Sequence, residues 1–438
     1  MALTLWALTA TSLAAPARNI LLIIADDYGL DSRPFHNDDP SATFAPTPNI
    51  DALASRGVLF SNAYSYPTCS PTRSAMLTGR YGFRTGVQAP VGEAGAPGVA
   101  VNEYTIPEVI AANPGLGYAT GSVGKWHLGG GSTDPSTHGG WPHFSGSLGG
   151  GLPDYSSWAK TENGVLTRNY AVYATTDAVN ESLDWIQAQG DNRWFLWVAF
   201  NAGHTPFHKP PNDLHGYDAL DGGAADINAN PRPYFEAMIE AMDTEIGRLL
   251  AGVDIDDTTV IFLGDNGTPG LVIQPPYVRV RAKGSLYEGG THVPMIVAGP
   301  DIVSPNRASD AVVHVVDLYA TILELAGVDP STALPPQLPF DSRSLLPILN
   351  DANFTPAVDC ILAETVSGAG PGRMARSGAF KLIRFDNGED EFYDLATDET
   401  ELVNLLDGAL SAPQQTAFDK LAAQLEAWRN QPMLFEPA

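Results

Sequence analysis

Short apolar runs recur along this chain with helical patterns between them, and that alternation limits the folds open to it. The runs are "NILLIIA" (residues 19–25), "YATGSVG" from Tyr118, "WFLWVAF" from Trp194, "TTVIFLG" from Thr258 and "VPMIVAG" from Val293. Runs of this kind, too short for a helix, suit strands buried on both faces. The intervening patterns predict helices over residues 49–56, 176–187, 234–250 and 317–325. In the third of these, Phe235, Met238, Ile239, Met242, Ile246, Leu249 and Leu250 fall near helical spacing, which predicts one buried face. Strand and helix in alternation predict an α/β sheet. A chain of 438 residues, 44% hydrophobic and 17% charged, can bury one large core and carry a smaller unit beside it.

The texture changes after about Thr355. "RMARSGAFKLIRF" and "EFYDL" read as short strands and residues 413–429 as a helix, so a small C-terminal α+β unit is expected over 355–438, behind a main domain over 18–354. The Gly/Pro-rich stretch 129–153 reads as a long surface loop bordering a site. Residues 1–17, "MALTLWALTATSLAAPA", are apolar and end in small residues as a signal peptide does, although they lack a basic start; the other reading is an N-terminal arm. Export to the periplasm or the medium is expected on the first reading. No later run approaches the ~18 apolar residues of a membrane span.

A net charge of −26, with six lysines, excludes a protein that neutralises many nucleic-acid phosphates. Such acidity suits a salty medium or simple solubility. An anionic substrate must then be attracted locally, against the long-range field. The two cysteines, Cys69 and Cys360, can pair in an oxidising compartment, but one bond is no framework.

Polar clusters follow the apolar runs. Asp26 and Asp27 follow the first, Lys125 and His127 the second, His204 the third, and Asp265 and Asn266 the fourth. Ligands of open α/β sheets bind outside the carboxyl ends of strands, so four strand ends can deliver these groups to one place. Asp26, Asp27, Asp265 and Asn266 offer hard oxygen ligands, suited to Ca²⁺ or Mg²⁺. Each alone is equally well a turn or cap residue; the two pairs together favour the cation.

In "YPTCSPTRSAMLTG" (residues 66–79), Ser70 reads as an N-cap, Pro71 as the first helical residue and Gly79 as the stop. Cys69 would then precede a helix N-terminus, where free N–H groups favour an anion, with Arg73 adding a charge-assisted fork. A thiol there would be acidified and nucleophilic. A small buried hydrophobe is the other reading, and spacing alone does not separate the two.

These residues resemble the formylglycine-dependent (type I) sulfatases of the alkaline phosphatase superfamily. "CSPTRSAMLTG" fits that family's C-x-P-[ST]-R-x-x-x-L-T-G signature, and the likeness continues through "IIADDYG", "GKWHLG", "NAGHTPFH", "LGDNG", "KGSLYEGGTHVPMIVAGP" and "FYDLATDETELVNLL". It implies a large mixed, mostly parallel sheet flanked by helices, with the smaller C-terminal unit. It also implies that Cys69 is oxidised by a maturation enzyme to formylglycine, whose hydrate is the nucleophile. Asp26, Asp27, Asp265 and Asn266 would hold calcium (or magnesium) together with residue 69. Arg73 would stabilise the hydrate, and Lys125, Lys283 and His204 would bind the sulfate group of a sulfated glycan or small molecule. His127 would orient and later deprotonate the hydrate, and His204 or Lys283 would protonate the leaving oxygen. His292 stands where many relatives carry arginine, a departure expected to touch the surroundings of Lys283. His208 is a weaker candidate for the substrate's neighbourhood, and His138, Trp141 and His143 either shape the pocket or pack. The reaction implied is hydrolysis of sulfate monoesters; the alternatives are a phosphonate or phosphate monoester hydrolase and a catalytically silent binding protein.

Overall fold

The structure, a computed structural model, describes residues 19–130, 133–300, 302–356, 360–368 and 370–429. The expected leader over 1–17 lies outside the described residues. Strands β1 (Asn19–Ala25), β2 (Gly57–Tyr64), β3 (Tyr118–Lys125), β4 (Phe144–Ser147), β5 (Trp158–Glu162), β6 (Val165–Tyr170), β7 (Arg193–Ala199), β8 (Thr258–Gly264), β9 (Met295–Ala298) and β10 (Arg307–His314) form one 10-stranded sheet. Its order is β10-β2-β9-β8-β1-β7-β3-β4-β5-β6. The central strands β8, β1, β7, β3 and β4 are parallel, while β9 and β5 run against their neighbours, so the sheet is mixed and mostly parallel.

Strand β1 shows why the run is continuously apolar. Ile20, Leu22 and Ile24 join one core, and Leu21, Ile23 and Ala25 join another on the opposite face. Helices α1 (Pro48–Ser55), α3 (Ala174–Gln189) and α4 (Pro231–Ala251) cover the second face. Helices α2 (Cys69–Thr78) and α5 (Asp317–Leu325) cover the first. Both faces are therefore dry, which removes the polar alternation of a half-exposed strand.

A second, antiparallel sheet is built from β11 (Ile361–Thr365), β12 (Gly372–Ser377), β13 (Phe380–Phe385) and β14 (Asp390–Asp394), with helix α6 (Ala412–Arg429) against it. Its Leu362, Met374, Leu382 and Phe392, with Leu421 and Leu425 of α6, belong to the same apolar cluster as Ile20 and Leu22. Among the described residues, no helix is long and apolar enough to cross a membrane.

The structure corrects two expectations here. Stretch 129–153 is not simply a surface loop: it supplies β4 to the main sheet and buries Trp141 fully against Phe195 and Trp197. Ser70 is not the helix cap, because α2 begins at Cys69 with Thr68 in the capping position; Gly79, in left-handed backbone, does end it.

Candidate active site

Strands β8, β1, β7 and β3 lie side by side and point the same way, so their carboxyl ends share one edge. Asp26 and Asp27 leave β1 there, Asp265 and Asn266 leave β8, Lys125 ends β3 and His127 follows it. The loop after β7 carries His204 and is tied to the end of β1 by Asp26 N–H to the Ala202 carbonyl (2.9 Å) and Gly203 N–H to the Asp26 carbonyl (2.7 Å). Helix α2 brings Cys69 to the same edge, where one ligand atom each of Asp26, Cys69 and Asp265 lie within 4.8 Å of one another.

The charges are densely cross-linked. Arg73, fully buried, donates from Nε and Nη2 to Asp265 Oδ2 (3.2 and 2.8 Å) and from Nη1 to the Lys125 carbonyl (2.7 Å). Lys125 Nζ donates to Asp26 Oδ2 at 2.5 Å, and Lys283 Nζ to Asp27 Oδ1. Asn266 Nδ2 also donates to Asp27 Oδ1, at 2.8 Å, and Asp27 N–H to Asp265 Oδ1, at 3.1 Å. Asp27 and His127 both sit in left-handed backbone (φ 58° and 53°), a conformation that Asp and His tolerate better than branched residues.

Burial drives the electrostatics. It pushes Asp26 up to about 8, against the pull of Lys125 and with Asp265 and Asp27 adding repulsion. On Asp27 burial acts the same way, but Lys283, His204 and Lys125 outweigh it and hold the carboxyl below its usual range. Burial, with Lys125 and Arg73 nearby, lowers His127 to about 2; burial and the two lysines lower His204 to about 4 despite Asp27. Burial would discharge Lys283, yet Asp27 more than compensates and holds its amine above the usual value. The Cys69 thiol is raised by burial, which the two lysines do not overcome, so of the two readings left open for it the buried one holds.

A hard cation fits this edge. Among the described residues Asp26 Oδ1 and Asn266 Oδ1 are buried with no hydrogen-bond partner, and the atoms offered to a cation are carboxylate and amide oxygens. A carboxyl raised as far as Asp26 needs more positive charge beside it to stay ionised.

Backbone approaches complete the enclosure. A Cβ on Gly150 would stand 2.3 Å from His127 Cε1, and one on Gly151 would stand 3.1 Å from His204 Cε1. Tyr155 OH donates to the Asn201 and His204 carbonyls (2.5 and 2.7 Å), fixing the His204 loop. Sequence reasoning missed both devices; "GGGLPDY" offered only its run of glycines as a signal.

The other histidines have framework partners. His208 contacts Tyr173 OH (3.0 Å) and the Pro206 carbonyl (3.0 Å) and packs on Tyr155. His138 contacts Thr137 Oγ1 (2.9 Å), and His143 packs against Trp185. His292 bonds Glu288 Oε2 (2.9 Å), in the segment that carries Lys283, and the Ser61 carbonyl (2.9 Å), and stacks on the ring of Tyr64. Cys69 and Cys360 form no disulfide.

The family described as Sulfatase matches residues 18–328, and the C-terminal region of N-sulphoglucosamine sulphohydrolase matches residues 281–431. The chain belongs to the sulfatase family, within the alkaline phosphatase superfamily. Among its relatives, N-acetylgalactosamine-6-sulfatase of Sus scrofa is 30% identical over 77% of this chain and 67% of its own length. Arylsulfatase J of Mus musculus is 28% identical over 70% of this chain and 52% of its own length, so the chain spans about half to two thirds of these relatives. The crystal structure of Ps i-CgsB superposes with a TM-score of 0.80 at 25% identity, covering 96% of this chain and 95% of that one.

Proposed function

We propose that this protein hydrolyses sulfate monoesters of a glycan, using a formylglycine made from Cys69 by a maturation enzyme, with calcium or magnesium held by Asp26, Asp27, Asp265 and Asn266. The observation that carries the reading is the meeting of Cys69 with those four residues, Arg73, two lysines and two histidines at one sheet edge. When present, the hydrated aldehyde supplies the attacking hydroxyl and, from its second hydroxyl, a way to expel sulfate; the cation acidifies that nucleophile and screens the sulfate oxygens.

The chain's own residues do the rest. Lys125 and Lys283, preorganised by Asp26 and Asp27, present positive charge to the sulfate oxygens in a dry site. Arg73 is locked between Asp265 and β3, and from there adds fixed charge beside residue 69. Among the described residues His127 Nδ1 is buried without a hydrogen-bond partner, which leaves a ring nitrogen open to take a proton from residue 69. His204 gives its Nδ1 proton to the Thr205 carbonyl (2.8 Å), leaving Nε2 as its acceptor. An arriving anion raises the affinity of Nε2 for a proton. On this reading His204 Nε2 or Lys283 Nζ protonates the leaving oxygen.

Sulfated sugar as the substrate class is supported by the name of the pig relative. The apolar residues 1–17 support work in the periplasm or outside the cell. The test is sulfate release from nitrophenyl sulfate, N-acetylgalactosamine 6-sulfate and k-i-k-neocarrahexaose, by protein whose aldehyde at position 69 is verified by peptide mass. Release from a sugar supports the full reading, and release from nitrophenyl sulfate alone limits it to small esters. No release with the aldehyde present overturns it.

A further inference from the structure

The tail motif "FYDLATDETELVNLL" touches no reacting group, yet its residues grip the segment that carries Lys283. Arg281 Nη1 donates to the carbonyls of Thr400 (3.2 Å) and Glu401. On the other side of Lys283, the Glu288 N–H donates to Glu401 Oε2 at 2.6 Å. Between those anchors Lys283 N–H reaches the Thr268 carbonyl (3.1 Å) and Gly284 N–H the Pro67 carbonyl (2.8 Å), close to Asn266 and Cys69 in sequence.

Glu401 is an expensive way to stabilise a loop. It is 1% exposed, sits in left-handed backbone (φ 60°), and shares Lys381 with Glu288 at 2.8 Å each, while the adjacent Leu402 and Val403 stand in solvent. An apolar side chain would serve packing as well without desolvating a carboxylate. Asp398 holds Leu402 N–H and Val403 N–H (2.9 and 2.8 Å), which fixes the turn that aims Glu401 inward.

We propose that residues 398–404 are a clamp on segment 281–288, and that Glu401 and Arg281 are positioning residues that set the Lys283 amine against the substrate from outside the pocket. The inference rests on the sulfate-binding role given to Lys283 above.

The test is a double-mutant cycle on aldehyde-verified protein, with Glu401→Ala and Arg281→Ala each made alone and with Lys283→Ala, read as nitrophenyl sulfate kcat/KM. Hydrogen exchange of peptides spanning 281–292 is measured on the same proteins. Glu401→Ala is expected to cost about 10- to 100-fold in the parent but under about twofold when Lys283 is already Ala, because the two act through one group. Exchange in 281–292 should rise at least about tenfold, as local opening becomes easier. Equal losses in both backgrounds, or unchanged exchange, overturn the clamp. If Glu401→Ala does not fold, Arg281→Ala removes the other anchor without stranding a buried carboxylate and decides the matter by the same cycle. If Lys283→Ala retains parental activity, the role of Lys283 fails, and the exchange measurement alone decides the clamp.

Discussion

The edge where β1, β3, β7 and β8 end and the seam between the two sheets both bury charge, but they close it differently. At the seam, Glu288 Oε1 meets Lys381, its Oε2 meets Tyr64 OH and His292, and Glu401 takes Lys381 and the Glu288 N–H. Each carboxylate oxygen there has a donor or a cation, although Glu401 Oε1 has only its ion pair with Lys381 and no hydrogen bond. At the strand ends, Asp26 Oδ1 and Asn266 Oδ1 have none among the described residues, Asp26 is pushed up to about 8, and two histidines are driven down to about 2 and about 4. A cluster that closes on itself is architecture. One that keeps unfilled oxygens and unprotonated rings has capacity left for a ligand.

The largest effect that would sharpen this contrast is at the open edge. Cys69→Ser should lose steady turnover by about 10³-fold or more, since a serine can accept sulfate but has no second hydroxyl to eject it. Intact mass should show one SO3 retained per chain; sustained multiple turnover would refute the formylglycine mechanism. At the closed seam, Lys381→Met leaves Glu288 and Glu401 buried with one cation fewer, and should destabilise the fold by about 3–5 kcal/mol in urea denaturation. A loss below about 1 kcal/mol would show that the seam's ion pairs do not carry the docking.

Geometry at the edge should yield a smaller, activity-specific change. Gly150→Ala pushes a methyl into the His127 ring, and kcat should fall about tenfold with little change in Tm, because displacement of a catalytic group costs rate before stability. A fall in Tm with unchanged kcat would mean that the loop, and not the ring, gives way.

The smallest effect, taken per pH unit, is a slope in the C-terminal unit. Burial pushes Glu364 from its ordinary 4.5 up to about 7, against the pull of Arg373. The folded state therefore binds this proton more tightly than the unfolded chain. Its stabilisation is full below pH 4.5 and is lost as pH rises to about 7, at about 1 kcal/mol per pH unit. Glu364→Gln should flatten that part of the Tm–pH curve, and an unchanged slope would place the titration elsewhere.

Much of the open edge was legible in the sequence because its strands are dry on both faces. "NILLIIA" and "TTVIFLG" match β1 and β8 residue for residue, and the residues after them fall where strand ends must deliver ligands. Helix α5 was equally plain. Strand β4, "FSGS", has no apolar run to announce it, and the hairpin strand β6 is mostly exposed, so neither showed the pattern of a buried strand. The seam was invisible for another reason. Glu288, Lys381 and Glu401 lie far apart in the chain, and nothing local marks a charged residue as buried. The same blindness left two readings open for the Cys69 thiol, whose burial decides its acidity.

Cys69 is 2% exposed, and Ser70 Oγ, next to it in the chain, is bonded to the His127 carbonyl. On the reading given above, this dates the modification. A macromolecule that oxidises residue 69 has to take hold of an extended chain, before β3 and its following loop close over α2. Conversion and folding then compete for the same nascent segment. A chain that folds first keeps its thiol, and no later exposure to the maturing enzyme brings it into service.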